Sequence, residues 1–401
     1  MKIFKIILSS IVALLLFVVG SHTVFAGTMN FSITPVLPSN QARAGEGYFD
    51  LLMKPNAKQT IEVQVQNTSA KQITVDTIVS QAATNSNGVV EYQPNSIKAD
   101  KTLKYKLTDY VKVPAKTVIP AGKTVNVKVD VTMPAGATAG YMAGGLTFKQ
   151  DASELKQDKS KSSMAVNNEY QYVIALLMRQ STTTVAPKLQ LNAVTPTQVG
   201  ARNVITTNLQ NTSTGFLNYM NVNATVTGIS NKKLKYDYDN AQMQMAPNSN
   251  FNLPIPVSMT GVAQDGKYSK PMEAGKYKLH LTVYGQKDAN GQYETTVNGK
   301  KTRYAYRWEF DRDFEITANQ AKKLNAKDVT IKHDKPLNIW WLIVGALALV
   351  LVLILVFVLL AKRRKKAEKD ENEKAELQAR LAEMEDKLKK TVSDNELEDK
   401  E

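Results

Sequence analysis

The chain has 401 residues, no cysteine and three histidines, which excludes a disulfide framework and leaves too few ligands for a zinc site. Its formal charge is +14, and +13 remains once the first 26 residues (+2) and the last 40 (−1) are set aside. A basic central region of this kind favours an anionic neighbour, or serves solubility alone.

The first 26 residues read as a secretory signal peptide. Lys2 and Lys5 open it, an apolar run follows over Ile6–Val19, and Val24-Phe25-Ala26 closes it with cleavage before Gly27. The next stretch alternates apolar and polar residues with period two, the mark of strands that bury one face. Ile61, Val63 and Val65 alternate with Glu62, Gln64 and Gln66, and Val125, Val127, Val129 and Val131 with Asn126, Lys128 and Asp130. Further on, Tyr277, Leu279, Leu281 and Val283 form a third such run. The longest goes from Tyr304 through Tyr306, Trp308, Phe310, Arg312 and Phe314 to Ile316. Asn87-Gly88, Asn290-Gly291 and Asn298-Gly299 punctuate the runs as turns. No amphipathic helix is expected between residues 30 and 320.

Two pairs of landmarks recur in the same order. Asn67-Thr68-Ser69 ends one strand and Asn211-Thr212-Ser213 another, while Ala139-Gly140-Tyr141 has its counterpart in Ala274-Gly275-Lys276-Tyr277. The expected fold is all-β: two tandem immunoglobulin-like β-sandwich domains, one C-terminal transmembrane α-helix and a short helical cytoplasmic tail. The domains are placed at 27–160 and 161–318, with the charged stretch Gln150–Asn168 as their seam. Tyr170–Met178 fits either the last strand of the first sandwich or the first of the second.

Residues 319–338 read as a polar stalk. Ile339–Ala361 carries no charge, enough to cross roughly 30 Å of hydrocarbon. Lys362-Arg363-Arg364-Lys365-Lys366 follows and is expected to stay on the cytoplasmic side, which makes a single-pass type I protein with its large region outside. In the tail, 362–401, Leu377, Leu381, Met384 and Leu388 recur at helical spacing. An exported region of this size without disulfides, on one membrane, fits a Gram-positive cell surface. There the anionic neighbours are wall teichoic acids, peptidoglycan carboxylates or acidic host glycans. No nucleic-acid partner is expected.

Catalytic parts are missing. His280 faces away from the core and His333 sits in the stalk, so neither suits a Ser-His-Asp site. Asp311, Asp313 and Glu315 share a strand face with Arg307 nearby and read as solvated surface. Gly140, Gly144 and Gly145 fit a turn and a closely packed strand, and no cofactor site is expected. Aromatic residues beside polar ones are the candidate ligand platforms: Tyr48 and Phe49 with Asp50, and Tyr236 and Tyr238 beside Lys232, Lys233 and Lys235. Trp340 and Trp341 read as membrane-boundary anchors.

Phe31-Ser32-Ile33-Thr34-Pro35, Gly47-Tyr48-Phe49-Asp50-Leu51 and Thr84-Asn85-Ser86-Asn87-Gly88 stand in the first part of the chain, and Met243-Gln244-Met245-Ala246-Pro247-Asn248-Ser249-Asn250-Phe251 with Trp308-Glu309-Phe310 in the second. On these strings the chain resembles the WxL-interacting proteins of Gram-positive bacteria. The first set looks like that family's peptidoglycan-binding domain and the second like its host-binding domain. The resemblance implies a non-catalytic surface scaffold that contacts peptidoglycan and docks a secreted WxL-domain protein, and in some members a host matrix protein. An adhesin whose main ligand is a host matrix protein is the alternative. On this resemblance Asn248, Asn250 and Phe251 join the candidate binding residues.

Overall fold

The computed structural model describes residues 29–136, 139–154, 170–261, 266–333 and 339–398. The expected signal peptide lies outside them, as does most of the expected seam at 150–168. Among the described residues the first strands in chain order are β1 (Phe31–Val36), β2 (Phe49–Leu52), β3 (Lys58–Asn67), β4 (Ile73–Gln81), β5 (Ala83–Thr84), β6 (Val90–Glu91), β7 (Val111–Lys112), β8 (Lys116–Ile119), β9 (Thr124–Thr132), β10 (Met142–Gln150) and β11 (Gln171–Arg179). Of these, β5 and β6 pair as a separate small sheet, and the other nine build the first sandwich. Eight build the second: β12 (Leu189–Val199), β13 (Arg202–Asn211), β14 (Leu217–Gly228), β15 (Lys235–Met245), β16 (Ser249–Pro256), β17 (Gly275–Lys287), β18 (Tyr293–Val297) and β19 (Lys300–Ile316).

In the first sandwich a sheet ordered β1-β3-β9-β7 faces one ordered β2-β11-β10-β4-β8. In the second, β12-β13-β16 faces β15-β14-β17-β19-β18. The orders superpose: β3 stands where β13 stands, β9 where β16, β10 where β17 and β11 where β19. The two landmark repeats are therefore equivalent corners of one immunoglobulin-like plan. Each Asn of the Asn-Thr-Ser turns is fully buried. Asn67 Nδ2 donates to Lys71 O (2.7 Å) and Ile119 O (3.0 Å). Asn211 Nδ2 donates to Gly215 O (2.7 Å) and Ala246 O (3.1 Å). A side-chain amide thus satisfies the carbonyls that a sharp corner leaves without ladder partners.

Alternation sets the packing. In β3 the inward residues Ile61, Val63 and Val65 are buried, and β9 lays Val127, Val129 and Val131 beside them. β10 and β11 cover them with Leu146, Phe148, Leu176 and Met178. The second core is built the same way from Ile205, Leu209, Val222, Leu253, Leu279 and Leu281. In β19 the period holds through Phe310 and Phe314, but Arg312 is exposed and its guanidinium reaches Leu191 O of β12. At Gly144 a Cβ would lie 2.2 Å from Ser80 O, so a side chain there would push β10 off β4. The strands at both edges of the three-stranded sheet carry proline, Pro196 in β12 and Pro254 in β16, which blunts them as templates for a further strand.

The fold bears on two points of the sequence reading. First, β11, which the sequence left to either sandwich, belongs to the first, where it pairs antiparallel with β10 and parallel with β2. The connection between the sandwiches is the short stretch 180–188, not the charged run before it. Second, the supposed stalk is partly folded onto the second sandwich. Helix α1 (Ala318–Asn325) opens with a capping box, in which Gln320 N donates to Thr317 Oγ1 (3.3 Å) and Thr317 N to Gln320 Oε1 (2.9 Å). Ala321 enters the second core, and Asp328 and Thr330 have no exposed surface. This burial rests on polar partners, which hydropathy does not register. The Asp328 carboxylate accepts from Asn203 N (2.8 Å), Thr330 N (2.8 Å) and the hydroxyls of Ser258 and Thr330.

Burial alone would raise the Asp328 pKa, but the hydrogen bonds from Ser258, Thr330 and Asn203 outweigh it and hold it below the ordinary value of 3.8. A carboxyl depressed in this way stabilises the fold fully above its unfolded pKa, and the contribution disappears as pH falls through the folded one. Asp328→Asn is therefore expected to cost about 1–3 kcal/mol at neutral pH. The gap to the unmodified protein should narrow below about pH 4. Urea denaturation at pH 7 and pH 3 reads both.

Helix α2 (Ile339–Glu398) is a separate unit. Its first part is long and apolar enough to cross a membrane. It continues as one helix through Lys362–Lys366 into the charged tail, with Arg380–Glu376 and Lys387–Glu383 paired one turn apart.

Candidate functional site

The two sandwiches meet along a seam with an interior of its own. Ala82, Val90, Ala143 and Leu177 from the first pack against Phe216 and Ala246 from the second. The Tyr141 and Phe216 rings meet edge to face at 5.3 Å. Polar links cross alongside. Tyr141 N donates to Thr214 O (2.9 Å), Gln244 N to Gly88 O (2.6 Å) and Ala246 N to Thr84 Oγ1 (3.0 Å), while Thr84 Oγ1 and Ser249 Oγ lie 2.7 Å apart. Gly140 adopts φ 88°, and a Cβ there would sit 2.5 Å from Thr214 O, so the corner before β10 and the loop before β14 come together only without a side chain.

On one side of the seam opens a cleft of about 860 Å³ with walls from both sandwiches. At its floor Arg179 and Asp50 form a two-pronged ion pair, Nε–Oδ1 2.9 Å and Nη2–Oδ2 2.7 Å. Asp50 has no exposed surface and Arg179 only 5%. Arg179 Nη1 also donates to Tyr141 Oη (3.3 Å), and its guanidinium carbon lies 5.1 Å from the centre of that ring. Arg43, at the mouth and about half exposed, approaches Asp50 Oδ2 at 3.7 Å. Burial pushes the Tyr92 phenol up to about 12, helped by Tyr48. Burial and Glu46 also raise Tyr48, against the pull of Arg43. At neutral pH these phenols keep their protons, so the cleft offers hydroxyls, ring faces, cations and the single lining carboxylate Asp288.

Elsewhere on the molecule the loop before Asp100 borders, with residues of β13 and β16, a groove of about 670 Å³ lined largely by amides. Gln210 Nε2 donates to both Asp100 oxygens (2.9 Å each), and Asn250 Nδ2 donates to Oδ2. Burial alone would raise the Asp100 pKa, but Thr102, Asn250 and Gln210 together lower it. Asn208 donates to Asn250 and Asn252, and Asn192 donates to Asn208. These amides largely satisfy one another.

The structure separates the sequence candidates. Tyr48 lies in the cleft wall. Phe49 and Phe251 occupy the inward registers of their strands, in the first and second core respectively, and Phe251 also borders the groove beside Asp100. Asp50 is equally enclosed, and both its oxygens are held by Arg179. Asn248 takes the left-handed conformation, φ 46°, and donates to Thr102 Oγ1 and Thr212 O, so it works as a corner of the seam beside Asn250. Tyr236 and Tyr238 lie half-buried on the second core, with phenols raised first by burial. Arg43, Tyr92, Tyr141, Arg179, Phe216 and Tyr306 were not singled out as binding residues. The usable signal was Arg179 at the end of an apolar strand and Asp50 between two buried apolar residues, a pair of opposite charges needing each other.

His280 is exposed and pairs with Asp311 at 3.1 Å, on a face where Lys278 also reaches that carboxylate. Among the described residues no group of three or more His, Asp or Glu side chains is placed to hold a metal ion.

Several solved structures are similar at low identity. The chaperone–tip adhesin complex of CFA/I fimbriae shares 11% identity over 66% of this chain and 95% of that one, with a TM-score of 0.28. The CsuC–CsuE chaperone–tip adhesion subunit complex of Acinetobacter baumannii shares 13% over 57% and 91%, with a TM-score of 0.27. The E. coli chaperone DraB shares 12% over 71% and 98%, with a TM-score of 0.25. No curated protein matches the chain by sequence. The family model described as WxL Interacting Protein, peptidoglycan binding domain, matches residues 31–150, and that described as WxL Interacting Protein, host binding domain, matches residues 161–326. With both sandwiches matched in order across most of the chain, this protein belongs to the WxL-interacting protein family.

Proposed function

We propose that the protein is a membrane-tethered, non-catalytic binding protein of a Gram-positive cell surface. Its first sandwich contacts peptidoglycan, and its second receives a protein partner, either a secreted WxL-domain protein or a host protein. The observation that carries this reading is the pair of matched binding domains joined through a shared interior, on a chain whose C-terminal helix is apolar enough to anchor it. Residues 1–26 act as the export signal, and the basic run Lys362–Lys366 keeps residues 362–401 in the cytoplasm. The tether holds both domains at the wall, where weak contacts with a repetitive polymer gain from high local concentration. The full-length protein in detergent micelles should be retained on purified wall sacculi well above an unrelated protein of equal charge, and equal retention would overturn the wall-binding reading. A soluble WxL domain should then co-elute with the retained protein.

A further inference from the structure

We infer that the cleft between the sandwiches is a binding site for an anionic saccharide, built jointly by both domains. Pockets that take small ligands span about 300–1,000 Å³, and a cleft of about 860 Å³ falls within that range. Its walls pair flat aromatic faces with fixed polar groups. Tyr48, Tyr92 and Tyr141 come from the first sandwich, and Phe216 and Tyr306 from the second. The four tyrosines are half-buried, so each ring is held in place yet keeps some surface free. Sugar rings need this combination: their C–H faces stack on aromatic planes, and their hydroxyls bond to phenols and amides. Gln286 supplies an amide whose position is set, since its Nε2 donates to Phe216 O (3.0 Å) and its backbone is left-handed, φ 58°.

The balance of charge in the cleft favours an anion: its lining carries three cations, Arg43, Arg179 and Lys287, against one carboxylate, Asp288, whose Oδ1 accepts from Asn290 N (2.9 Å). Asp50 gives both oxygens to Arg179, so Arg43 at 3.7 Å is only partly compensated and faces solvent. Lys287, exposed on the wall from the second sandwich, forms no ion pair among the described residues. A carboxylate between Arg43 and Lys287 would meet a cation from each domain. The source of the saccharide rests on the surface reading above: a wall glycan bearing peptide carboxylates, or a host uronate polymer.

The test is calorimetric titration of the full-length protein in detergent micelles with three probes: the disaccharide tetrapeptide of peptidoglycan, a hyaluronan tetrasaccharide and neutral chitotetraose. One of the two charged probes is expected to bind about ten-fold or more tighter than chitotetraose and so to name the source. Arg43→Ala and Lys287→Ala should each weaken it by about five-fold, and Tyr306→Leu by a similar factor through lost stacking. Thermal melts of the variants check that the fold is intact. Charged probes that bind no better than chitotetraose, or variants that titrate like the unmodified protein, would overturn the site. Where the peptidoglycan probe is the one that binds, sacculus retention that survives in the Arg43→Ala/Lys287→Ala protein sinks the cleft and leaves wall binding standing. Binding of hyaluronan without retention on sacculi does the reverse.

Discussion

A fragment of residues 29–160 is expected to remain unfolded, whereas one of residues 29–180 folds cooperatively. The difference is β11. It supplies Ile174, Leu176 and Met178 to the first core, and it is the strand that joins β10 to β2. Losing a buried Leu, Ile or Met side chain costs about 2–5 kcal/mol. Three such losses, about 6–15 kcal/mol together, span the roughly 5–15 kcal/mol by which domains are stable. The same cut removes Arg179 and strands Asp50 as a buried charge. Fragments of the second sandwich follow the complementary rule. Residues 165–318 carry β11 without its partners and lose the Asp328 clasp, while residues 183–332 keep the second core and its closing segment. Far-ultraviolet circular dichroism and urea denaturation of the four fragments decide the matter. Cooperative unfolding of the 29–160 fragment would show that β11 is dispensable. The result also bears on function, because domain-by-domain binding assays interpret only fragments that fold.

Replacing Arg179 by Ala in the full-length chain is expected to destabilise the first sandwich by about 3–5 kcal/mol. The cost arises less from the lost attraction than from leaving the Asp50 carboxylate enclosed without its partner. Arg43 cannot replace Arg179, since it reaches one oxygen at 3.7 Å from a solvent-facing position. The double replacement Asp50→Leu/Arg179→Met should be far milder, because neither charge then has to be desolvated. Urea denaturation of Asp50→Leu, Arg179→Met and the double variant gives the coupling directly. Additive effects would mean that the pair is not energetically linked. Tyr141 ties this stability question to the cleft: it accepts from Arg179 and packs on Phe216 of the other sandwich. Loss of Arg179 should therefore disturb the seam as well as the first core.

Much of the architecture was legible because a strand with one buried face writes its geometry into alternate positions. The runs at Ile61–Val65, Val125–Val131 and Tyr277–Val283 all became strands with the expected inward faces. The repeat of Asn67 and Asn211 was legible for a related reason, since a buried amide closing a corner tolerates little change in its neighbours. Helix α1 was missed because it is eight residues long and buries little beyond Ala321, its attachment depending on Asn325 and Asp328 instead. The burial of Phe49 and Phe251 was not legible because aromatic residues next to polar ones look alike whether they face a ligand or a core. Period-two geometry puts their polar neighbours on the other face.

By itself the sequence determined the class of fold, the duplication, the apolar helix Ile339–Ala361 and the family, all of which depend on local pattern or on motifs contiguous in the chain. Only the tertiary structure decided which sandwich owns β11, that residues 318–331 close the second domain, and that Arg43, Tyr48, Tyr141, Phe216 and Tyr306 converge on one cleft. Those facts depend on contacts between residues from about 20 to more than 250 positions apart, such as Phe148 with Tyr172, Arg179 with Asp50 and Asp328 with Asn203. Their partners are chosen by buried charge and hydrogen-bond satisfaction, and neither quantity repeats along the chain with a period that a linear reading can detect.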